Sequence, residues 1–195
     1  MNLLRKCWLG SMAALVLGSA LAQGVTVADV KYPDTTQVNA SALQLNGAGV
    51  RYKAIFKVYT AGLYLEKKTS AAPEAMAQPG AKRVAITMLR EIDSGELGKL
   101  FSRGMEDNMD KAAFSKLIPG VVRMSQIFSD HKKLLPGEQF TIDWLPGTGT
   151  VITVKGQPQG EPFKEPAFFN ALLGIWLGPN PADGKLKDAL LGSPA

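Results

Sequence analysis

Apolar residues follow two different periods along this chain. From Val25 to Glu91, and again from Gln139 to Lys155, they tend to alternate with polar ones, as side chains do on opposite faces of a strand. Val25 to Tyr32 predicts a first strand, punctuated by Pro33-Asp34. Gln37 to Leu45 predicts a second, and Asn46-Gly47 predicts a hairpin turn after it. Val50 to Tyr59 follows, rich in β-prone Val, Ile, Phe and Tyr. There Val50, Tyr52, Ala54, Phe56 and Val58 share one face, expected to pack on a core, and Arg51, Lys53, Ile55, Lys57 and Tyr59 share the other. That second face is either the solvated side of a half-buried antiparallel strand or the floor of a cleft that attracts an anion. Lys82 to Glu91 predicts a further strand, and Gln139–Leu145 and Thr150–Lys155 predict a hairpin joined by Pro146-Gly147-Thr148-Gly149.

Elsewhere the period is helical. Thr69 to Lys82 reads as a surface connection with a short helical piece. Asp93-Ser94 supplies an N-cap for a helix in which Leu97, Phe101, Met105, Asn108 and Ala112 form one stripe. Asn108 interrupts the apolar stripe. A buried amide needs partners, supplied either by backbone and water or by a ligand. Ala113 to His131 predicts a second helix, kinked or divided at Pro119. Phe168, Leu172 and Trp176, with Phe169, Leu173 and Leu177, form paired ladders between Pro166 and the stop at Gly178-Pro179. A last short helix carries Leu186 and Leu190 and closes at Gly192.

The N-terminus changes the picture of what is folded. Arg5 and Lys6, the apolar run Trp8–Leu21 and Ala20-Leu21-Ala22 have the form of a secretory signal peptide, residues 1–22. Its cleavage leaves Gln23–Ala195 as a single domain, expected in the periplasm. The one cysteine, Cys7, lies in the removed segment, so the mature chain has no disulfide and no cysteine-based metal site. No later apolar run has the length of a membrane span, so no integral membrane segment is expected after processing. The chain has 22 Lys and Arg against 17 Asp and Glu, and setting aside Arg5 and Lys6 leaves a net +3. That mild, dispersed excess carries no nucleic-acid motif, and no nucleic-acid partner is expected. His131 is the only histidine and sits beside Lys132-Lys133, so neither a metal nor a cofactor is expected. Gly47-Ala48-Gly49 leads into β-prone sequence rather than a helix, which argues against a dinucleotide loop.

Gly49-Val50-Arg51, the run Lys57–Leu65 and Gly174-Ile175-Trp176-Leu177-Gly178, in that order, resemble the chalcone isomerase superfamily, and within it the bacterial exported chalcone isomerase-like branch. The resemblance spans nearly all of the mature chain. It implies an α+β fold, an open-faced β-sandwich with a large antiparallel sheet covered on one face by helices, in agreement with the periodicity. In the enzymes, the resemblance implies, an arginine steadies the developing oxyanion, a tyrosine and a threonine act around the ketone, and an asparagine and a Ser/Thr hold the phenol. The arginine position falls on Arg51, the asparagine on Asn108 and the tyrosine on Phe101, which lacks the hydroxyl. The threonine position falls on Tyr59, or on Thr60 with one gap, and the Ser/Thr position falls near Ile175, again without a hydroxyl.

Non-enzymatic members of the superfamily bind fatty acids through the arginine and a tyrosine. The expectation is therefore a small amphipathic or aromatic ligand, a carboxylate such as a fatty acid at Arg51, with Tyr59, Thr60, Phe101, Met105, Asn108 and Ile175 around it. An isomerase of the intramolecular-lyase type, using Arg51 and Asn108 on another enone, is one alternative. A protein-interaction module of the envelope is the other.

Overall fold

The computed structural model describes residues 24–193. The expected signal peptide lies outside the described residues. The chain forms β1 (Gly24–Val27), β2 (Val30–Pro33), β3 (Thr35–Val38), β4 (Ser41–Lys53) and β5 (Phe56–Leu65), followed by α1 (Ala72–Ala77) and β6 (Lys82–Met88). Next come β7 (Ile92–Asp93), α2 (Ser94–Glu106), α3 (Lys111–Ser129), β8 (Lys133–Leu134), β9 (Gln139–Leu145), β10 (Gly149–Val154) and β11 (Gln157–Pro158). Helices α4 (Pro166–Leu177) and α5 (Gly184–Leu190) end the chain.

Seven strands make one antiparallel sheet in the order β11-β10-β9-β6-β5-β4-β3. Alternation along β5 divides it into two faces. Tyr59, Ala61, Leu63 and Leu65 enter the main core with Phe101, Phe128, Phe140 and Trp176, beneath α2, α3 and α4. Tyr64 enters a smaller cluster on the opposite face with Tyr32, Leu43 and Leu45, covered by the β1–β2 hairpin. The result is the open-faced sandwich and α+β class expected: helices on one face, a two-stranded flap on part of the other.

Four expected strands and turns are corrected. Gln37–Leu45 is not one strand but turns at Asn39-Ala40, with Asn39 at a φ of 51° and Val38 opposite Ser41. Val25–Tyr32 is a hairpin rather than one strand, because Ala28 and Asp29 both take positive φ (45° and 66°), the geometry of a type I′ turn. Val50–Tyr59 likewise turns back at Ala54-Ile55, with Lys53 opposite Phe56. Tyr52 and Phe56 are therefore exposed at a hairpin tip rather than packed on a core. Asn46-Gly47, in contrast, makes no turn. It lies inside β4 at a register shift against β5. The Asn46 side chain there is buried, and its Nδ2 donates to the Leu190 and Thr69 carbonyls at 2.7 and 3.0 Å. Gly47 and Gly49 are small for a packing reason. A Cβ on Gly49 would lie 2.7 Å from the Ala189 Cβ, and one on Gly47 would strike the Ala189 carbonyl, so this pair admits α5 onto β4.

Pro119 neither ends nor splits α3, which runs through it for 19 residues. The stripe from Leu97 to Ala112 does break. α2 ends at Glu106, and α3 restarts after its N-cap Asp110, whose carboxylate accepts from the Ala113 amide at 2.9 Å. Asn108 thus sits in the turn between two helices. Among the described residues no helix is long and apolar enough to cross a membrane.

Candidate functional site

Pairing of β4 with β5 places Arg51 directly across from Tyr59, on the helix-covered face. Helix α2 crosses this end of the sheet with Leu97 and Phe101. Gly104 lets it lie close on α4, since a Cβ there would meet the Ile175 side chain at 3.2 Å. The turn Asn180–Ala182, between α4 and α5, closes the remaining side. Together these elements line a cavity of about 250 Å³. Val58, Leu97, Phe101, Ile175 and Ala182 give it an apolar interior. Its charged lining is Arg51, Lys53 and Arg103 against one carboxylate, Asp107.

Arg51 is half-buried, with Asp183 3.7 Å from its Nη1. That carboxylate is already engaged. One oxygen caps α5 by accepting from the Lys185 and Leu186 amides at 2.9 and 3.2 Å. The other accepts from the Tyr52 amide at 2.9 Å. Asp183 therefore holds the guanidinium by charge at a long distance, and most of the five-donor fork stays available to an incoming anion.

Tyr59 is buried, and its hydroxyl oxygen accepts from the Trp176 indole N–H at 3.0 Å. That bond fixes the ring and leaves the phenolic proton free to be donated. Burial pushes the phenol up to about 12, against the lowering effects of the Trp176 bond and of Arg51. The site at neutral pH thus pairs a permanent cation with a neutral hydroxyl donor, the complement of a carboxylate or an enolate oxygen.

The raised phenol also makes a pH prediction. An unfolded tyrosine ionises near 10 and Tyr59 only near 12, so the folded state holds its proton over the interval where the unfolded state loses it. Stability from this group is intact below pH 10 and falls by about 1.4 kcal/mol per pH unit from 10 toward 12. Tyr32 and Tyr64 are also raised by burial and add to the slope. Urea unfolding of Tyr59→Phe against the parent, followed with pH, is expected to show a shallower alkaline decline in the variant.

Of the residues singled out from the sequence, Arg51, Tyr59, Phe101 and Ile175 meet in this cavity. Met105 is fully buried in the core and is not among the lining residues. Thr60 points to the opposite face of the sheet, where its hydroxyl accepts from the Tyr32 hydroxyl at 2.7 Å. Alternation along β5 keeps Thr60 on the face away from the cavity, the face that packs on Tyr32.

Asn108 is a bracket between chain segments. Its Nδ2 donates to the Gly104 and Asn180 carbonyls at 2.8 and 2.9 Å, and its Oδ1 accepts from the Asn180 amide at 2.8 Å. Gly178 leaves room for it, since a Cβ at that position would strike the Asn108 Oδ1. The backbone thus uses both ends of the amide, and it holds the wall formed by Asn180–Ala182. Asn108→Ala is expected to cost about 1–3 kcal/mol in urea unfolding, with ligand affinity falling through the loosened wall. Lost affinity at unchanged stability would instead make Asn108 a direct ligand contact.

The sequence reading had Lys53 only as part of the cationic face and missed Arg103 and Asp183 as members of this site. Asp183 carried a signal, an aspartate just ahead of the Leu186–Leu190 helix, but its reach to β4 follows only from the docking of α5.

A family model described as chalcone isomerase-like matches residues 24–192. Among solved structures, the crystal structure of a fatty-acid binding protein from Arabidopsis thaliana superposes with a TM-score of 0.68 at 15% identity. The superposition covers 87% of this chain and 96% of the plant protein. At that identity the likeness concerns the fold. Comparison with curated protein sequences yields no match.

Proposed function

Because the chain belongs to the chalcone isomerase-like family, we propose that it is an exported, periplasmic member that binds a small amphipathic carboxylate, such as a fatty acid, and does not cyclise flavonoids. The observation that carries this is the Arg51–Tyr59 pair at an otherwise mostly apolar cavity. The ligand's carboxylate accepts from the guanidinium and the phenol, and its tail lies along Val58, Phe101 and Ile175. The fatty-acid binding activity of the plant protein of the same fold supports the ligand class. At about 250 Å³ the cavity lies just under the usual range for small-molecule sites, about 300–1,000 Å³. This favours a short or medium chain, or a longer one whose end emerges at the mouth. The signal-peptide pattern at the N-terminus supports the periplasmic location.

The isomerase alternative draws on the same pair, which would also suit an enolate. Against it stands the lack of further hydroxyls. Phe101 and Ile175 occupy positions where the family enzymes carry them, and Asn108 is engaged by backbone. An interaction module without a small ligand gives no role to a cation-marked cavity.

Calorimetric titration of the mature chain with decanoate and oleate tests the proposal. Saturable binding of one acid per chain is the expected result. No saturable binding of either would overturn it, and chalcone cyclisation above the buffer rate would move the assignment to the isomerase.

A further inference from the structure

The tip of the β4–β5 hairpin is exposed and apolar. Ile55, in the two-residue turn, is 84% exposed, and Phe56, in the Lys53–Phe56 pair that closes the turn, is 57% exposed. Ala54 takes a left-handed φ of 53° to make that turn. Surface apolar residues scattered singly need no explanation, but two large ones side by side at the end of a projecting ribbon do.

The charge carried by the hairpin itself is of one sign. From Gly47 to Leu65 there is no acidic residue. Lys53 and Lys57 flank the turn, and the Arg90 guanidinium lies 5.4 Å from the Phe56 ring. Among the described residues, Asp183 lies against the hairpin, where it is taken up by the Tyr52 amide and Arg51 and lines a hollow with Ala54, Ile55 and Lys185. Glu91, Asp93 and Glu96 line a groove behind the tip. There Glu91 pairs with Lys133 at 3.3 Å and Asp93 caps α2. The same hairpin also frames the cavity, because Lys53 and Val58 belong to its lining.

We propose that this tip docks the protein on an anionic lipid surface. Ile55 and Phe56 enter the headgroup–acyl boundary, and Lys53, Lys57 and Arg90 meet the lipid phosphates. Apolar insertion and cationic attraction together are the two components that hold a peripheral protein on such a surface. The docked orientation turns the cavity mouth toward the bilayer, where an amphipathic acid partitions. The inference rests on the amphipathic-carboxylate reading above and adds where the ligand is exchanged.

Co-sedimentation of the mature chain with vesicles decides it. The expected result is binding to phosphatidylcholine mixed with phosphatidylglycerol, much weaker binding to phosphatidylcholine alone, and weakening as salt rises. Ile55→Ser combined with Phe56→Ser is expected to lower vesicle affinity by about tenfold or more. Because the turn buries neither side chain, the double variant should fold and titrate with decanoate like the parent. Failure of the parent to sediment with anionic vesicles while still binding decanoate would overturn the docking inference and leave the ligand reading standing. A parent that dimerises by sedimentation velocity, and a double variant that is monomeric with vesicle binding unchanged, would make the tip a self-association contact and also overturn it. Absence of decanoate and oleate binding would count against the ligand reading, whatever the vesicles show.

Discussion

Arg51→Ala is expected to weaken decanoate binding by about 30- to 100-fold while leaving the fold in place. Hydrogen bonds to a charged group contribute about 1.5–3 kcal/mol each in a site shielded from water. The half-buried setting of Arg51 argues for the lower part of what a fully buried pair would give. The fold should tolerate the change because Asp183 keeps its three backbone donors after the cation is gone. The ion pair itself is long, at 3.7 Å, and its loss should cost under about 1 kcal/mol. Arg51→Lys keeps the charge and loses the planar fork, so an intermediate affinity is expected. Titration calorimetry on both variants, with urea unfolding in parallel, checks the pair of outcomes. Unchanged affinity in Arg51→Ala would place the carboxylate on Lys53 or Arg103, the other cations of the cavity.

That Arg51 could be picked out before the structure, and Asp183 could not be joined to it, follows from the range of the signals involved. Alternation is local, and it correctly set β6, β9 and β10 and put Arg51 and Tyr59 on one face. Their pairing across a turn at Ala54-Ile55 was not legible, because neither residue is a usual turn former. The same holds at Ala28-Asp29, where a strand reading concealed a hairpin. Asn46-Gly47 misled in the opposite sense. The dipeptide carries a turn's chemistry, but here the glycine makes room for α5 and the asparagine bonds to segments distant in sequence. Contacts between such segments leave no periodic trace. Asn108 fell at helical spacing after Phe101 by coincidence of register, since α2 stops two residues before it. Its true partner, Asn180, lies 72 positions away. Thr60 was drawn in by an alignment gap that the alternation of β5 does not permit.

Phe101→Ala is expected to have the largest effect on stability, about 3–5 kcal/mol. The ring is 2% exposed and touches every layer of the core. Its centroid lies 5.6 Å from that of Phe128 on α3, 5.9 Å from Phe140 on β9 and 5.5 Å from Trp176 on α4. The Phe128 and Trp176 contacts are edge-to-face, the arrangement in which aromatic pairs add to simple burial. For a domain stable by about 5–15 kcal/mol this is a large fraction, and the urea midpoint should move down at nearly constant slope. The change also reaches the site. Phe101 forms one wall of the cavity and packs against the indole that holds the Tyr59 hydroxyl. A void beside Trp176 lets the indole move and takes the phenol with it. Phe101→Leu separates these effects, since it keeps an apolar side chain at the wall and shortens it. There the preference is expected to shift from decanoate toward oleate, because the widened cavity admits more chain while Arg51 and Tyr59 still hold the carboxylate. A Phe101→Leu variant with the parent's chain-length preference would show that the tail does not run along α2. The ligand would then have to leave the cavity on the side of Lys53 and Val58, next to the hairpin tip.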